Sequence, residues 1–326
     1  MSHLPILSLV VLAAYAVSTT AFSAAAALVW RAGLIERDHP SAGARAKRLA
    51  RLRAFPCVAG VIVTTVIITP SFLTHEPPRA SEEVGPLLFA LAALGAALLV
   101  SAFVIAGRAA LATWQLERAW LRSASAIELT PPAGIPAYAV DTPAPIVALI
   151  GVFRPKLIAA RSVINVCSEQ ELRRIVAHEC GHLRARDNLK RWLMVSAPDV
   201  LRWTAPHREI GAVWSDAAED AADDAATSGD ARARADLAAL LVKIAGLAAP
   251  TTLTVATLSP FVAHDGLARR VRRLLDDDAQ PVRSVWPVVA RVACLFATVL
   301  VLAFLTSAGA LKSVHEVVET VVAWRA

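Results

Sequence analysis

The stretch from Ser168 to Asn188, SEQELRRIVAHECGHLRARDN, holds the residues best suited to chemistry. Within it His178, Glu179 and His182 stand in the order H-E-x-x-H. On an α-helix, residues four apart lie one turn above the other on one face, so both imidazoles can grip a single ion. Glu179, one step round from the first histidine, can reach a water bound to that ion and act as its general base. With 8 histidines in 326 residues, the bare pattern arises by chance in roughly one such chain in a hundred. The simpler pair recurs at His75-Glu76 and His315-Glu316, in each case without the second histidine.

Two histidines do not complete a catalytic zinc site, which takes three protein ligands and keeps one position for water. The acidic run Asp216-Ala-Ala-Glu-Asp-Ala-Ala-Asp-Asp224 offers the third. Glu219 and Asp223 are four apart and share a helix face, so Glu219 is expected as the third ligand and Asp223 as the carboxylate that orients a ligand histidine. Asp216 and Asp220 compete for the first of those roles. His207 and His264 are the candidates for a second donor to a developing oxyanion, and Cys180 lies inside the motif.

These residues need a helix, and the sequence supplies one. Ser168 with Glu171 three later forms a capping box, and Leu172, Ile175, Val176 and Leu183 make an apolar stripe. The spacing predicts a helix running to about Ala197, where Pro198 ends it. Before it, Ile146 to Leu149 and Leu157 to Ala160, separated by Gly151 and Pro155, predict a β-hairpin whose edge could hold an extended peptide. Pro131 to Pro145 reads as a proline-rich connector, and Arg108 to Ile127 as a helix. After the motif, helices are expected over Glu209 to Thr227, Ala231 to Ala245 and Gly266 to Asp276, the last basic and amphipathic.

The whole chain is too apolar for an ordinary soluble domain: 56% of its residues are hydrophobic, where about half is usual. Leu4 to Trp30, Phe55 to Leu73 (bent at Pro70), Pro86 to Gly107 and Val292 to Gly309 are each long enough to cross a bilayer. Ile244 to Ala263 is apolar too, but its prolines and the arginines that follow argue against a fifth span. No Lys or Arg precedes the first run, whereas Arg31, Arg37, Arg45, Lys47, Arg48, Arg51 and Arg53 follow it, the reverse of a signal peptide. By the positive-inside rule the 31–54 loop and the middle of the chain, which carries most of the 33 Lys and Arg, face the cytoplasm, and both termini lie outside. The net charge of +6 is segregated by loop, so no nucleic-acid partner is expected. Cys57, Cys167, Cys180 and Cys294 show neither metal-site spacing nor a disulfide framework.

The fold expected is therefore mainly α (α+β): four transmembrane helices and a cytoplasmic, helical zincin-like domain with a small sheet. The divisions are residues 1–107 with three spans and a basic loop, 108–284 for the metal-binding domain, and 285–326 for the fourth span and a short external tail.

The combination of S-x-x-E leading into AHECGHLRARDN, followed by E-D-A-A-D, resembles the membrane-embedded gluzincin metallopeptidases. One branch is the β-lactam sensor-transducers of bacteria, which place a cytoplasmic zinc peptidase domain between their third and fourth spans. The other is the CAAX prenyl protease and HtpX-like family, whose Glu-x-x-Ala-Asp motif is matched by Glu219, Ala222 and Asp223. GVFRPKLIAA before the helix, RDN after it and three spans ahead of the domain favour the sensor-transducers. Their extracellular penicillin-binding domain after the fourth span has no counterpart in these 326 residues, so β-lactam sensing is not expected.

The resemblance implies a multi-pass zinc metalloendopeptidase of the cell membrane. Zn2+ would be held by His178, His182 and Glu219, with Glu179 as base, acting on a cytoplasmic or membrane-proximal protein such as a repressor or signalling protein. It leaves room for a separate sensor partner. The rival reading is a non-catalytic signalling scaffold that retains the fold. A channel is disfavoured, since no span carries an internal pair of charges. Reporter fusions at Gly229 and Ala326 test the orientation: Gly229 should report from the cytoplasm and Ala326 from outside, and a Gly229 reporter active on the outer face would contradict it.

Overall fold

A computed structural model describes residues 3–35, 41–75, 85–127, 134–247, 259–260 and 266–276, together with 316–317 and 320. Three helical stretches among these are long and apolar enough to cross a membrane. The first is α1 (His3–Arg31). The second is α2 (Ala42–Ile62), continued through Val63–Ile68 into α3 (Thr69–His75), and the third is α4 (Pro86–Leu121). The expected span at Val292 to Gly309 lies outside the described residues, as does most of Ile244 to Ala263.

The irregularity expected at Pro70 takes a definite form. Proline has no N–H for the helical ladder, and the turn before it widens to π spacing, with Thr69 N–H bonded to the Thr64 carbonyl. The three spans pack closely through small residues. A Cβ on Gly95 would meet the Leu12 carbonyl oxygen at 2.1 Å, so α1 and α4 approach to backbone contact there.

Two of these helical stretches are longer than a bilayer requires. The 36 residues of α4 make a rod of about 54 Å against a hydrocarbon layer of about 30 Å. Its last turns carry Leu116, Trp120 and Leu121 onto a sheet. The start of α2 does the same elsewhere: Ala46 and Leu49 are buried against Ile210, Trp214, Ala217 and Ala218. The 31–54 stretch, expected as a loop, is thus helical from Ala42 and packs into the folded unit with α8. A buried polar knot fastens the two parts. Arg53 lies 2.9 Å from Asp199 Oδ2, and Ser23 of α1 donates to Asp199 Oδ1 at 2.6 Å while its hydroxyl lies 2.9 Å from His207 Nε2.

The sheet contains β1 (Ser125–Ala126), β2 (Ala137–Val140), β3 (Val147–Ile150), β4 (Lys156–Ala160) and β5 (Ser259–Pro260), in the order β1-β2-β4-β3-β5. The expected hairpin is the antiparallel pair β3 and β4, with Val147 opposite Ala159 and Leu149 opposite Leu157. Both faces of β3 are buried, which explains its unbroken apolar run. Val147 and Leu149 face a core shared with Ile175, Leu237, Leu240 and Leu241, whereas Ala148 and Ile150 face α4.

After the sheet come α5 (Arg161–Val166), α6 (Glu169–Ala185), α7 (Asp187–Ser196), a 3₁₀ turn at Val200–Trp203, α8 (Ala205–Thr227), α9 (Ala231–Ala245) and α10 (Leu267–Leu275). Three local expectations are corrected. The connector Pro131 to Pro145 contains β2, which pairs in parallel with β4 through a register that local sequence does not encode. The helix expected over Arg108 to Ile127 ends at Leu121 and gives way to β1. The motif helix does not run to Ala197 but breaks at Arg186, which is left-handed at φ 56°.

Candidate metal centre

The site is built where α6 crosses α8. Helix α6 starts at the capping box: Glu171 N–H donates to Ser168 Oγ at 3.3 Å, and Ser168 N–H donates to Glu171 Oε2 at 2.7 Å. Ile175, Val176 and Cys180 bury one side of α6 in the main core. Cys180 therefore packs as a small apolar residue. His178, Glu179 and His182, also buried, occupy the side toward α8. The crossing is close because Gly181 has no side chain: a Cβ there would lie 3.0 Å from Ala222 Cα. The small residues of HECGH and EDAAD thus bring the polar residues of both motifs together.

Among the described residues, one group of His, Cys, Asp and Glu side chains has metal-ligand geometry: one ligand atom each from His178, His182 and Glu219 fall within 4.8 Å of one another. The two imidazole Nε2 atoms are 3.2 Å apart. Glu219 Oε2 lies 3.6 Å from His178 Nε2, and Oε1 lies 3.6 Å from His182 Nε2. The far nitrogens are fixed by carboxylates, His178 Nδ1 at 3.0 Å from Asp223 Oδ1 and His182 Nδ1 at 2.9 Å from Asp187 Oδ2. Carboxylates accept, so each Nδ1 carries a proton and each Nε2 is the atom left to ligate. The competitors are spent elsewhere: Asp220 accepts from Arg269 at 2.6 Å, and Asp216 lies 3.4 Å from the same arginine.

Asp187 owes its place to the break at Arg186. On a continuous helix a residue five beyond His182 would point about 140° away from it. The left-handed Arg186 ends α6 and turns Asp187 back to the imidazole. Asn188 completes the turn by donating to the Leu149 carbonyl at 3.0 Å and the Gly151 carbonyl at 3.1 Å. The R-D-N tripeptide is therefore a bend, a histidine holder and a strap to β3. Glu179 is tied to the same strand, its Oε2 accepting Leu149 N–H at 3.1 Å, while the buried Oε1 has no hydrogen-bond partner among the described residues. A cleft of about 310 Å³ opens beside His182, walled by Phe153, Pro155 and Arg186.

The charges show what this pocket asks for. Burial pushes Glu179 up to about 7. Burial acts on Glu219 in the same sense, but His182, His178 and Arg270 outweigh it and hold the carboxyl well below its ordinary range. Burial would lower His182, yet Glu219 and Asp187 reverse that and push it up to about 10. The pocket thus draws positive charge to the point between the imidazoles. Zinc fits this donor set. Zn–N bonds of about 2.0–2.1 Å in a tetrahedron put two nitrogens about 3.3 Å apart, close to the spacing found.

Residues 110–259 match the family model of peptidase family M48. The matched segment holds strands β1 to β4, α6 and α8, hence every residue of the metal group, and it supports a metallopeptidase. The finer likeness to the sensor-transducer branch is not part of that match. Comparison with curated proteins gives no match.

Of the remaining sequence candidates, His207 does not join the group. Its ring lies between Ser23 and Thr204, at 2.9 and 3.1 Å, in the knot against α1. His264 lies outside the described residues. Sequence reading missed Asp187, whose signal was its place directly after the motif helix, and Arg270.

Two substitutions probe this construction. Asp187→Ala should weaken zinc binding about 10–100-fold in competition with a chromophoric chelator. Gly181→Val should lose most of the metal, because its side chain would drive α6 from α8. Wild-type affinity in both variants would contradict the arrangement.

Proposed function

We propose that the chain is a membrane-anchored zinc metalloendopeptidase. The observation that carries this reading is the buried group of His178, His182 and Glu219 with the unpartnered Oε1 of Glu179 beside it. In the assignment, His178, His182 and Glu219 hold the metal, Glu179 is the general base, and Asp223 and Asp187 keep the histidines in the tautomer that ligates. Bound zinc would supply Lewis acidity toward water and the scissile carbonyl.

The protein's own residues supply the rest. Glu179 Oε1 accepts a proton from the attacking water and passes it to the nitrogen of the departing amine, so the carboxylate is regenerated. Its elevated proton affinity suits both halves of that task near neutral pH. The Leu149 N–H on Oε2 holds the carboxylate still while Oε1 works. The cleft beside His182 is the proposed seat of the peptide, next to the β3–β4 turn.

The three apolar helices support anchoring in a membrane. From the basic residues that follow α1 and the many Lys and Arg of the middle of the chain we assign the peptidase unit to the cytoplasmic side of the cell membrane, with a cytoplasmic or membrane-proximal protein as substrate. The sensor-transducer resemblance points to a repressor or signalling protein. The proposed division stays at residues 108–284, with the extended ends of α2 and α4 as added walls.

Glu179→Gln separates an enzyme from a scaffold. The change is nearly isosteric and spares all three ligands, so zinc content and fold should persist while cleavage of a membrane-protein or casein-type substrate falls by about 10²–10⁴. Glu219→Gln should lose metal as well as activity. Full zinc-dependent proteolysis by Glu179→Gln would overturn the mechanism.

A further inference from the structure

The basic helix α10 approaches the metal centre from outside the two motifs. Its apolar positions Leu267, Val271 and Leu274 pack into the main core, which fixes the helix. Its arginines face the acidic side of α8: Arg269 pairs with Asp220 at 2.6 Å, and Arg273 with Asp224 at 2.6 Å. The Arg273 pair lies at the surface, where such pairs contribute little, and Arg269 is itself partly exposed although its partner Asp220 is buried. Arg270 differs. It is 3% exposed, donates twice to Asp223 at 2.6 and 2.9 Å, and lies 3.1 Å from Glu219 Oε2.

One guanidinium therefore touches both a proposed metal ligand, Glu219, and the carboxylate behind a second, His178. Glu219, Asp223 and Asp187 crowd negative charge around the pocket, and a fixed cation on the α10 side balances it. The planar fork matches the Asp223 carboxylate edge-on, and the arm left over reaches Glu219. Lysine would carry the same charge without that geometry.

We propose that Arg270 is a positioning residue of the metal centre: by bridging Asp223 and Glu219 it fixes the third ligand and the orientation of His178, and so makes metal affinity depend on α10 being docked. The inference rests on the zinc-site reading above. Arg270 lies beyond residues 110–259, so the family match does not supply it.

The test uses the full chain in detergent, loaded with cobalt(II) in place of zinc, whose visible absorption reports the ligand field without any activity assay. Wild type should give a cobalt spectrum, and its absence would overturn the metal reading together with this inference. Arg270→Met should weaken cobalt binding about 10–100-fold and shift the bands, as expected when a residue behind the ligands is lost. Arg270→Lys should recover part of the affinity but not the wild-type band positions. Arg269→Gln and Arg273→Gln, which sever pairs to Asp220 and Asp224 and leave Glu219 and Asp223 untouched, should bind and absorb as wild type. Should Arg270→Met fail to fold, Arg270→Lys decides alone. Wild-type affinity and spectrum in the folded Arg270 variants would overturn the proposal. So would losses in Arg269→Gln and Arg273→Gln as large as those at Arg270, since those would mean that detachment of α10, not the Arg270 bridge, is what matters.

Discussion

Two imidazole nitrogens face each other 3.2 Å apart in a buried pocket, each made electron-rich by a carboxylate on its far side. Lone pairs so placed repel, and a third carboxylate, Glu219, adds to the negative field. A proton shared between the two nitrogens or a metal ion between them relieves the arrangement, and the rest of the unit can be read as the apparatus that enforces it. Gly181 against Ala222 brings the two motif helices into contact. The break at Arg186 returns Asp187 to His182, and Asn188 straps that bend to β3. Arg270 closes the acidic side.

The same logic gives the long apolar helices a part in the site. Helix α8, which carries Glu219 and Asp223, lies between α6 on one side and the extension of α2 on the other. Trp214, Ile210 and Ala217 fill the second contact, and the Ser23, Arg53, Asp199 and His207 knot locks its start to α1 and α2. A removed partner would leave a buried charge uncompensated, at a cost of about 3–5 kcal/mol, so the knot ties the helix with the third ligand to the spans. The sheet has a comparable backing from the end of α4. The metal centre is therefore supported both by the helices around it and by the long apolar helices.

What was legible in the sequence was local. The H-E-x-x-H spacing, the Ser168–Glu171 box, the β3–β4 hairpin, α9 and the three spans each depend on periodicity or capping within one segment. Choosing Glu219 over Asp216 and Asp220 needed only the face shared with Asp223, and the structure brings that face to the histidines. What stayed hidden depends on contacts distant in sequence. Strand β2 forms because β4 offers it a parallel edge, not because Ala137–Val140 is strongly strand-like. The 31–54 residues look like a solvated basic loop until α8 supplies an apolar partner. Arg270 looks like one of four basic residues on a surface helix until its two carboxylates are seen. The left-handed Arg186 is the subtlest case, since nothing in R-D-N separates a helix continuing from a helix folding back.

The claim on which all of this stands is that the pocket holds zinc through two imidazoles and one carboxylate, with a position left for water. X-ray absorption at the zinc edge of the purified full chain tests it directly. The account predicts a first shell of nitrogen and oxygen scatterers only, near 2.0–2.1 Å, with the multiple-scattering signature of two histidines. A sulfur scatterer near 2.3 Å, or a first shell with no histidine signature, would contradict it.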